Sequence, residues 1–409
     1  MSRIIPKILF LTDSTEHGGA EDHLRVLAGA FHKRGHKVSV LLPDVNGMTG
    51  LVSQLKQQSI EAAPLPLIPV HAGAIRQTRK AVSLNVLRLY RYFRKTKPDL
   101  IHFVMSWPTR DSWCGMVAAL LLGIPYVVDF QLVPPSLRCP ATTRGLLKHL
   151  PTILRYVFNR ADRLICVSEG NKDRLAAFFG IGKQSIDVVH NGIDCVRYQQ
   201  PDSEKVCQLR KEFRLSPDKI AITTVARLNI QKGHSDLIEV AKRVTSTNPE
   251  VVFILAGDGE LRRELELATS EAELAKNIIF TGYRKEIPEI LAMTDIFFLP
   301  TLFEGLPHAV LEAMAAARCV VASRVDGVCE AVSDGETGIL VDPGNINHLT
   351  EALTNLIRNI QFREEMGKSG RRRVQQSFGI DRMVDKLEGI YARSCVLKTQ
   401  LSRPRGTNQ

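Results

Sequence analysis

At 409 residues the chain is too long for one ordinary hydrophobic core, so two domains are expected. Its 44% apolar and 24% charged content excludes a disordered or fibrous chain, and no run reaches the roughly 18–20 apolar residues of a membrane span. The net charge of +11 is concentrated: residues 71–100 hold eight Lys/Arg against Asp99 alone, and residues 138–163 hold six against Asp162 alone. Met1–Lys7 has no signal-peptide pattern. The eight cysteines form no C-x-x-C pair, which reads as free thiols in a reducing, cytoplasmic setting, and no Cys/His cluster has zinc spacing.

The elements alternate strand and helix. A first strand near Lys7–Leu11 runs into a loop, Thr12 to Glu21, that carries the adjacent glycines Gly18 and Gly19. A helix over Ala20–Arg34 and a strand at Lys37–Leu41 follow. The basic stretch 71–100 has apolar residues at helical spacing (Val86, Leu87, Leu89, Tyr90, Phe93) and leads into a strand at Leu100–Val104. A helix over Arg110–Leu122 and a strand at Tyr126–Asp129 come next. The second basic stretch, 138–163, is also amphipathic and precedes a strand at Arg163–Val167. Such helices fit an anionic membrane surface, or equally an apolar face buried in the core beneath a solvated basic face. No nucleic-acid-binding module is present.

The pattern breaks at His190–Asp194 and the polar stretch Gln199–Lys205, then restarts. Strands are expected at Ile220–Val225, Val251–Ala256, Ile278–Thr281, Asp295–Leu299, Cys319–Ala322 and Gly338–Val341. The fold class is therefore α/β, with two doubly wound, Rossmann-like parallel-sheet domains facing across a cleft. The tail Thr399–Gln409 reads as disordered.

The segment Glu304–Glu312, E-G-L-P-H-A-V-L-E, sets two carboxylates eight residues apart around a turn that opens a helix from Pro307 to Ala317. The N–H groups at that helix start suit phosphate, and the flanking carboxylates suit hydroxyls, so a nucleotide sugar matches the pattern. The bland alternative is a strand-turn-helix with two solvated glutamates. Arg227 and Lys232 bracket the loop after the strand ending at Val225, where two fixed cations could stabilise a departing diphosphate without metal. No D-x-D pair is present to hold a divalent ion. Gly257-Asp258-Gly259 is not the G-x-G-x-x-G of a dinucleotide site.

Taken as a set, G-G-A-E at 18–21, P-D-L-I-H at 98–102, H-N-G-I-D at 190–194, A-R-L-N-I-Q-K-G at 226–233, A-G-D-G at 256–259, G-Y-R at 282–284, E-G-L-P-H-A-V-L-E-A-M-A at 304–315 and D-G-E-T-G-I-L-V at 334–341 resemble glycosyltransferase family 4, the group 1 retaining transferases of GT-B architecture. The resemblance implies an acceptor-binding domain over 1–195, a nucleotide-sugar domain over 196–378, and a helix over 379–398 that packs back on the first domain, ahead of the tail 399–409. It implies that Arg227 and Lys232 bind the donor diphosphate, Glu312 the ribose hydroxyls, and Glu304 the donor sugar, making Glu304, Arg227 and Lys232 the catalytic set. Gly305, Leu306, His308 and Ala309 would complete the donor site, Gly18 and Gly19 would close over the phosphates, and Tyr283 and Arg284 would lie at the base. No metal or other cofactor is implied beyond the nucleotide sugar, with UDP slightly favoured over GDP. The expected acceptor is a glycan or lipid-linked hydroxyl of cell-surface polysaccharide, lipopolysaccharide or glycolipid synthesis, reached from the inner face of the membrane.

One departure stands out. Where the family commonly carries a His that contacts the donor sugar, this chain has Gln131, which can hold a hydroxyl but cannot titrate. Two rivals therefore remain at this stage. One is a weak or inactive nucleotide-sugar binder acting as a partner subunit. The other is a phosphorylase-like or epimerase-like enzyme, although no distinct motif for a pyridoxal-bearing lysine is found. A second departure, Arg318-Cys319 in place of a Gly-x-Pro turn, is expected to leave function unaffected.

Overall fold

The computed structural model describes residues 6–15, 18–68, 75–106, 113–135 and 156–401, without the side chains of 75–79 and 395–401. The chain divides into two compact units, Met1–His190 with Met383–Gln409, and Asn191–Arg382.

The first unit is built on a seven-stranded parallel sheet of order β3-β2-β1-β4-β5-β6-β7. Its strands are β1 Lys7–Leu11, β2 Lys37–Pro43, β3 Glu61–Leu65, β4 Leu100–Met105, β5 Tyr126–Phe130, β6 Arg163–Cys166 and β7 Ile186–Val188. Parallel strands carry helices on both faces, which is why β1 after Lys7 reads as an apolar run and β4 is apolar apart from His102. Alternate residues serve opposite faces: Leu9, Leu11, Phe103, Met105, Tyr126 and Val128 enter one core cluster. Ile8, Phe10, Val40 and Leu42 are buried as well. Sequence periodicity misses β3 and β7. Both are edge strands; β3 (EAAPL) holds Pro64, which an edge tolerates, and is only half-buried, while β7 has three residues.

The basic helix of the first stretch spans Ile75–Thr96. Leu89 and Phe93 are buried and Val86 and Tyr90 pack on the same core, so most of the apolar face belongs to the protein's own interior. Leu87 is the exception at 42% exposed, and Lys80, Arg91, Arg94, Lys95 and Lys97 face solvent. Residues 138–155 of the second basic stretch lie outside the described residues. The final helix, Ile380–Leu401, extends past the expected end at 398; the rest of the tail, 402–409, lies outside the described residues. Met383, Val384, Leu387, Ile390 and Tyr391 recur at helical spacing and are buried in the first unit. Tyr391 stacks on Phe31 at 5.2 Å between ring centres, and Arg34 donates to Asp385 at 2.6 Å. Among the described residues, no helix is long and apolar enough to cross a membrane.

The second unit holds a six-stranded parallel sheet of order β10-β9-β8-β11-β12-β13. These strands are β8 Ile220–Val225, β9 Val251–Ala256, β10 Ile278–Gly282, β11 Ile296–Leu299, β12 Cys319–Ser323 and β13 Gly338–Val341. The expected helix from Pro307 to Ala317 is shorter at both ends. Pro307 is its extended N-cap, and the helix is His308–Ala315. It ends in a Schellman turn: Arg318 N–H donates to the Ala313 carbonyl at 2.8 Å, and Ala317 N–H to Met314 at 2.9 Å. This turn demands a left-handed residue, and Ala317 supplies it with φ of 54°. Its carbonyl is pressed by the helix Ile360–Ser377, where a Cβ on Gly367 would stand 2.2 Å away.

A Cβ in the left-handed region costs about 1–2 kcal/mol, partly offset by the greater chain entropy that glycine loses on folding. Ala317→Gly is therefore expected to stabilise the second unit by about 1 kcal/mol, read as a rise of a few degrees in its melting midpoint. An unchanged or lower midpoint would contradict the strain assigned to this turn.

Candidate active site

The order of the second sheet reverses between β8 and β11: the chain winds outward through β9 and β10, then returns to begin β11 on the other side. Loops diverge from the carboxyl ends of neighbouring strands at such a point, and open α/β sheets bind ligands there. The two loops concerned are 226–233 and 300–307.

Gln231 and Gly233 staple these loops together. The Gln231 carbonyl accepts from Leu302 N–H at 2.8 Å, and its side-chain amide donates to the Phe303 carbonyl at 2.9 Å. Gly233 has φ of 66°, and a Cβ there would stand 1.9 Å from the Pro300 carbonyl oxygen, so only glycine permits this approach. Across the staple, Lys232 Nζ donates to Glu304 Oε1 at 2.5 Å, and the Thr301 hydroxyl donates to the same oxygen at 3.0 Å. The Glu304 side chain is 6% exposed and that of Lys232 18%. A carboxylate this buried is tolerable because a cation and neutral donors converge on it.

The rest of the loop is held as firmly. Gly305 and Leu306 are buried. A Cβ on Gly327 would fall 1.6 Å from the Gly305 carbonyl oxygen, so the helix Asp326–Ala331 abuts the loop. Asn191 donates through Nδ2 to the Leu306 carbonyl at 3.0 Å. His308 and Ala309, half-buried, form the first turn of the helix, and Glu312 lies further along it, where Tyr198 donates its hydroxyl to Oε1 at 2.7 Å. Arg227 is exposed at the start of the other loop. Its carbonyl can only accept, so His234, 3.0 Å away, carries its proton on Nε2. Burial lowers the pKa of that imidazole and favours its neutral form. After β10, Tyr283 is 58% exposed, whereas Arg284 donates to Glu212 at 2.6 Å and lies over the Phe213 ring at 5.3 Å. Arg284 is thus committed to its neighbours within the unit, and Tyr283 is the ring of this pair that faces solvent.

Gly18, Gly19 and Gln131 belong to the first unit. Gly18 caps the helix Gly19–Lys33, and its N–H donates to Glu21 Oε2 at 2.9 Å. A Cβ on Gly19 would meet nothing within 4 Å, so local packing does not require glycine there. Gln131 donates through Nε2 to Asp129 Oδ2 at 2.9 Å. Asp129, at the end of β5, is 3% exposed and also accepts from His23 Nε2 at 3.2 Å, with His102 Nε2 at 3.6 Å. On the far side of the His102 ring, Nδ1 lies 2.5 Å from the Tyr391 hydroxyl. Burial alone would raise the Asp129 carboxyl, but the two imidazoles outweigh it and hold the pKa at about 2. An anion can only accept, so the Gln131 amide turns its NH₂ toward Asp129 and leaves Oε1 as the acceptor it presents.

The structure therefore joins Lys232 to Glu304, places Arg227 on the same loop as Lys232, and holds Glu312 along the helix that follows. Sequence reasoning passed over His23, Tyr391 and Tyr198, and it gave no role to Asp129, His102 or Asn191 although it quoted the stretches that hold them. His102 and Asp129 left a signal, being polar residues inside otherwise apolar strands. Tyr198 left none, because its partner is 114 residues away.

Residues 207–373 match the family of glycosyl transferases group 1, and residues 17–197 match Glycosyltransferase Family 4. The chain is 30% identical over 274 residues to a GDP-mannose-dependent α-(1-6)-phosphatidylinositol monomannoside mannosyltransferase of Mycolicibacterium smegmatis, covering 63% of this chain and 70% of that one. It is 27% identical over 347 residues to a UDP-Gal:α-D-GlcNAc-diphosphoundecaprenol α-1,3-galactosyltransferase of Escherichia coli, covering 84% and 86%. In fold it is similar to the crystal structure of Anabaena HepE in complex with UDP and glucose, with a TM-score of 0.80, 22% identity, and coverage of 95% of this chain and 99% of that one.

The polar cluster of the first unit has a pH signature. The depressed Asp129 carboxyl contributes stability that is fully present above its ordinary value of 3.8 and is lost as pH falls toward about 2. Burial also depresses His102, so the unfolded chain takes up a proton that the folded one refuses once pH drops below about 6.5. Both effects weaken the fold in acid. Trp113 is half-buried in the first unit, so its fluorescence reports on the unfolding of that unit. The urea midpoint is expected to fall from pH 7 to 5 and again below 4, and Asp129→Asn should flatten the lower step. Identical pH profiles for the two proteins would refute the assignment.

Proposed function

The chain belongs to the group 1 glycosyl transferases and uses a nucleotide sugar, and we propose that it transfers the sugar with retention and without a metal ion. The observation that carries this reading is the Lys232–Glu304 pair, locked between two stapled loops at the reversal point of the second sheet. In this reading Lys232 and Arg227 meet the donor diphosphate together with the start of the helix His308–Ala315, and stabilise the charge that grows as the glycosidic bond breaks. Glu304 faces the donor sugar, and Glu312 holds the ribose hydroxyls. The departing phosphate accepts the proton of the acceptor hydroxyl on the face it leaves. The protein's part is positioning and charge stabilisation, with no covalent intermediate on a side chain.

UDP is the favoured nucleotide: the E. coli relative is named for UDP-Gal and the Anabaena structure holds UDP, although the M. smegmatis relative is named for GDP-mannose. The names of the two relatives also support a lipid-linked or glycan acceptor in cell-surface synthesis. The exposed cations of the helix Ile75–Thr96 suit an anionic membrane surface, acting through charge because most of the apolar face is already buried.

With a panel of UDP- and GDP-sugars, Arg227→Ala and Lys232→Ala are each expected to lower kcat/KM by about 10²–10³-fold, the effect of losing one oxyanion donor. Glu312→Ala should chiefly raise the donor KM. Wild-type rates in all three would remove the assigned roles. In vesicle sedimentation at low salt, the protein should pellet with anionic but not neutral vesicles and be released by added salt. Indifference to lipid charge would eliminate the membrane proposal.

A further inference from the structure

We propose that Tyr198 is a positioning residue: by holding the Glu312 carboxylate it sets how strongly the site prefers a ribose to a deoxyribose. The inference rests on the reading that Glu312 receives the ribose. It concerns a residue that no motif marks, on the short helix Cys195–Gln199 just past the junction of the two units.

Tyr198 is 5% exposed, and its ring lies beneath the Arg197 guanidinium at 5.7 Å. Two torsions place its hydroxyl, and both are fixed once the ring is buried. That hydroxyl donates to Glu312 Oε1 at 2.7 Å, a charge-assisted bond. Glutamate has three side-chain torsions, and a directional bond to its carboxylate narrows the rotamers it samples. A carboxylate that accepts from two vicinal hydroxyls must also keep its plane in one orientation. The bond from Tyr198 fixes Oε1, and with it the orientation in which the carboxylate would meet a ligand. The same segment reaches the other side of the loop, where Asn191, 2% exposed, donates to the Leu306 carbonyl at 3.0 Å. Asn191–Tyr198 thus splints the stretch Leu306–Glu312 at both ends. Ile193 anchors the splint, donating to the Phe378 carbonyl at 2.9 Å and accepting from Ile380 N–H at 3.2 Å.

Tyr198→Phe keeps the buried ring and deletes the one donor. Titration calorimetry of the full chain with UDP, GDP, their 2′,3′-dideoxy counterparts and inorganic pyrophosphate tests the idea, with melting midpoints measured alongside. The expected result for Tyr198→Phe is about a tenfold loss of affinity for the preferred ribonucleotide, with dideoxynucleotide and pyrophosphate affinities and the midpoint unchanged. The ribo-to-dideoxy ratio therefore shrinks, which general loosening of the fold would not produce. Glu312→Gln should shrink the same ratio further. A preserved ratio in Tyr198→Phe with a lost ratio in Glu312→Gln overturns the role of Tyr198 alone. A preserved ratio in Glu312→Gln overturns the ribose assignment and the proposal with it, as does failure of both UDP and GDP to bind the wild-type protein. If Tyr198→Phe does not fold, Tyr198→Leu takes its place with the same required ratio.

Discussion

The second unit is organised around one buried ion pair. Lys232 and Glu304 come from loops 72 residues apart, and the 2.5 Å contact between them exists only because the loops touch along their backbones first. Gln231 bonds loop to loop, and Gly233 removes the one atom that would separate them. Burying a carboxylate at 6% exposure is costly unless its partner is fixed, so the backbone staple and the ion pair depend on each other. That interdependence accounts for the density of glycine and polar residues here, in a sheet whose strands are otherwise apolar.

The first unit handles buried charge differently. Asp129 has no Lys or Arg partner among the described contacts; it is held by two imidazoles and an amide. Burial favours the neutral form of His102, so on that side the anion is stabilised without bringing a second full charge out of water. The cluster extends to Tyr391 of the last helix, whose hydroxyl burial keeps protonated. The docking of that helix and the direction of the Gln131 amide are therefore joined through three side chains.

The fold was legible because parallel strands buried on both faces leave long apolar runs, and the runs at Lys7, Ile220, Val251 and Gly338 begin where the periodicity places them. The edges of the first sheet were not legible. Glu61–Leu65 and Ile186–Val188 bury little and so carry little pattern. The start of the helix after Glu304 was displaced by one residue because Pro307 can serve either as its cap or as its first residue; its φ of −70° fits both, and only its extended ψ distinguishes them. In the site, Arg227, Lys232, Glu304 and Glu312 could be named because each sits beside a strand end or turn signal. What holds them could not, since Asn191, Tyr198 and Gln231 act over separations of 72 to 115 residues that no local pattern encodes.

The ion pair also bears on how an anionic ligand would be received. A diphosphate brought toward Lys232 also approaches Glu304, and two like charges at that range repel unless a cation lies between them. Lys232 meets this requirement by geometry: one ammonium hydrogen is engaged by Glu304, and the group has two more donors to offer. Thr301 and Gln231 continue to donate to Glu304 when Lys232 divides its charge, so the carboxylate is not left without partners. Under the proposed reaction the pair would pre-position the cation before ligand arrives, leaving little reorganisation for the moment when charge develops on the leaving phosphate. An arginine at this position would present a planar fork with a different reach, so the compact ammonium, held from one side by Glu304, suits the proposed double role toward a buried carboxylate and an incoming anion.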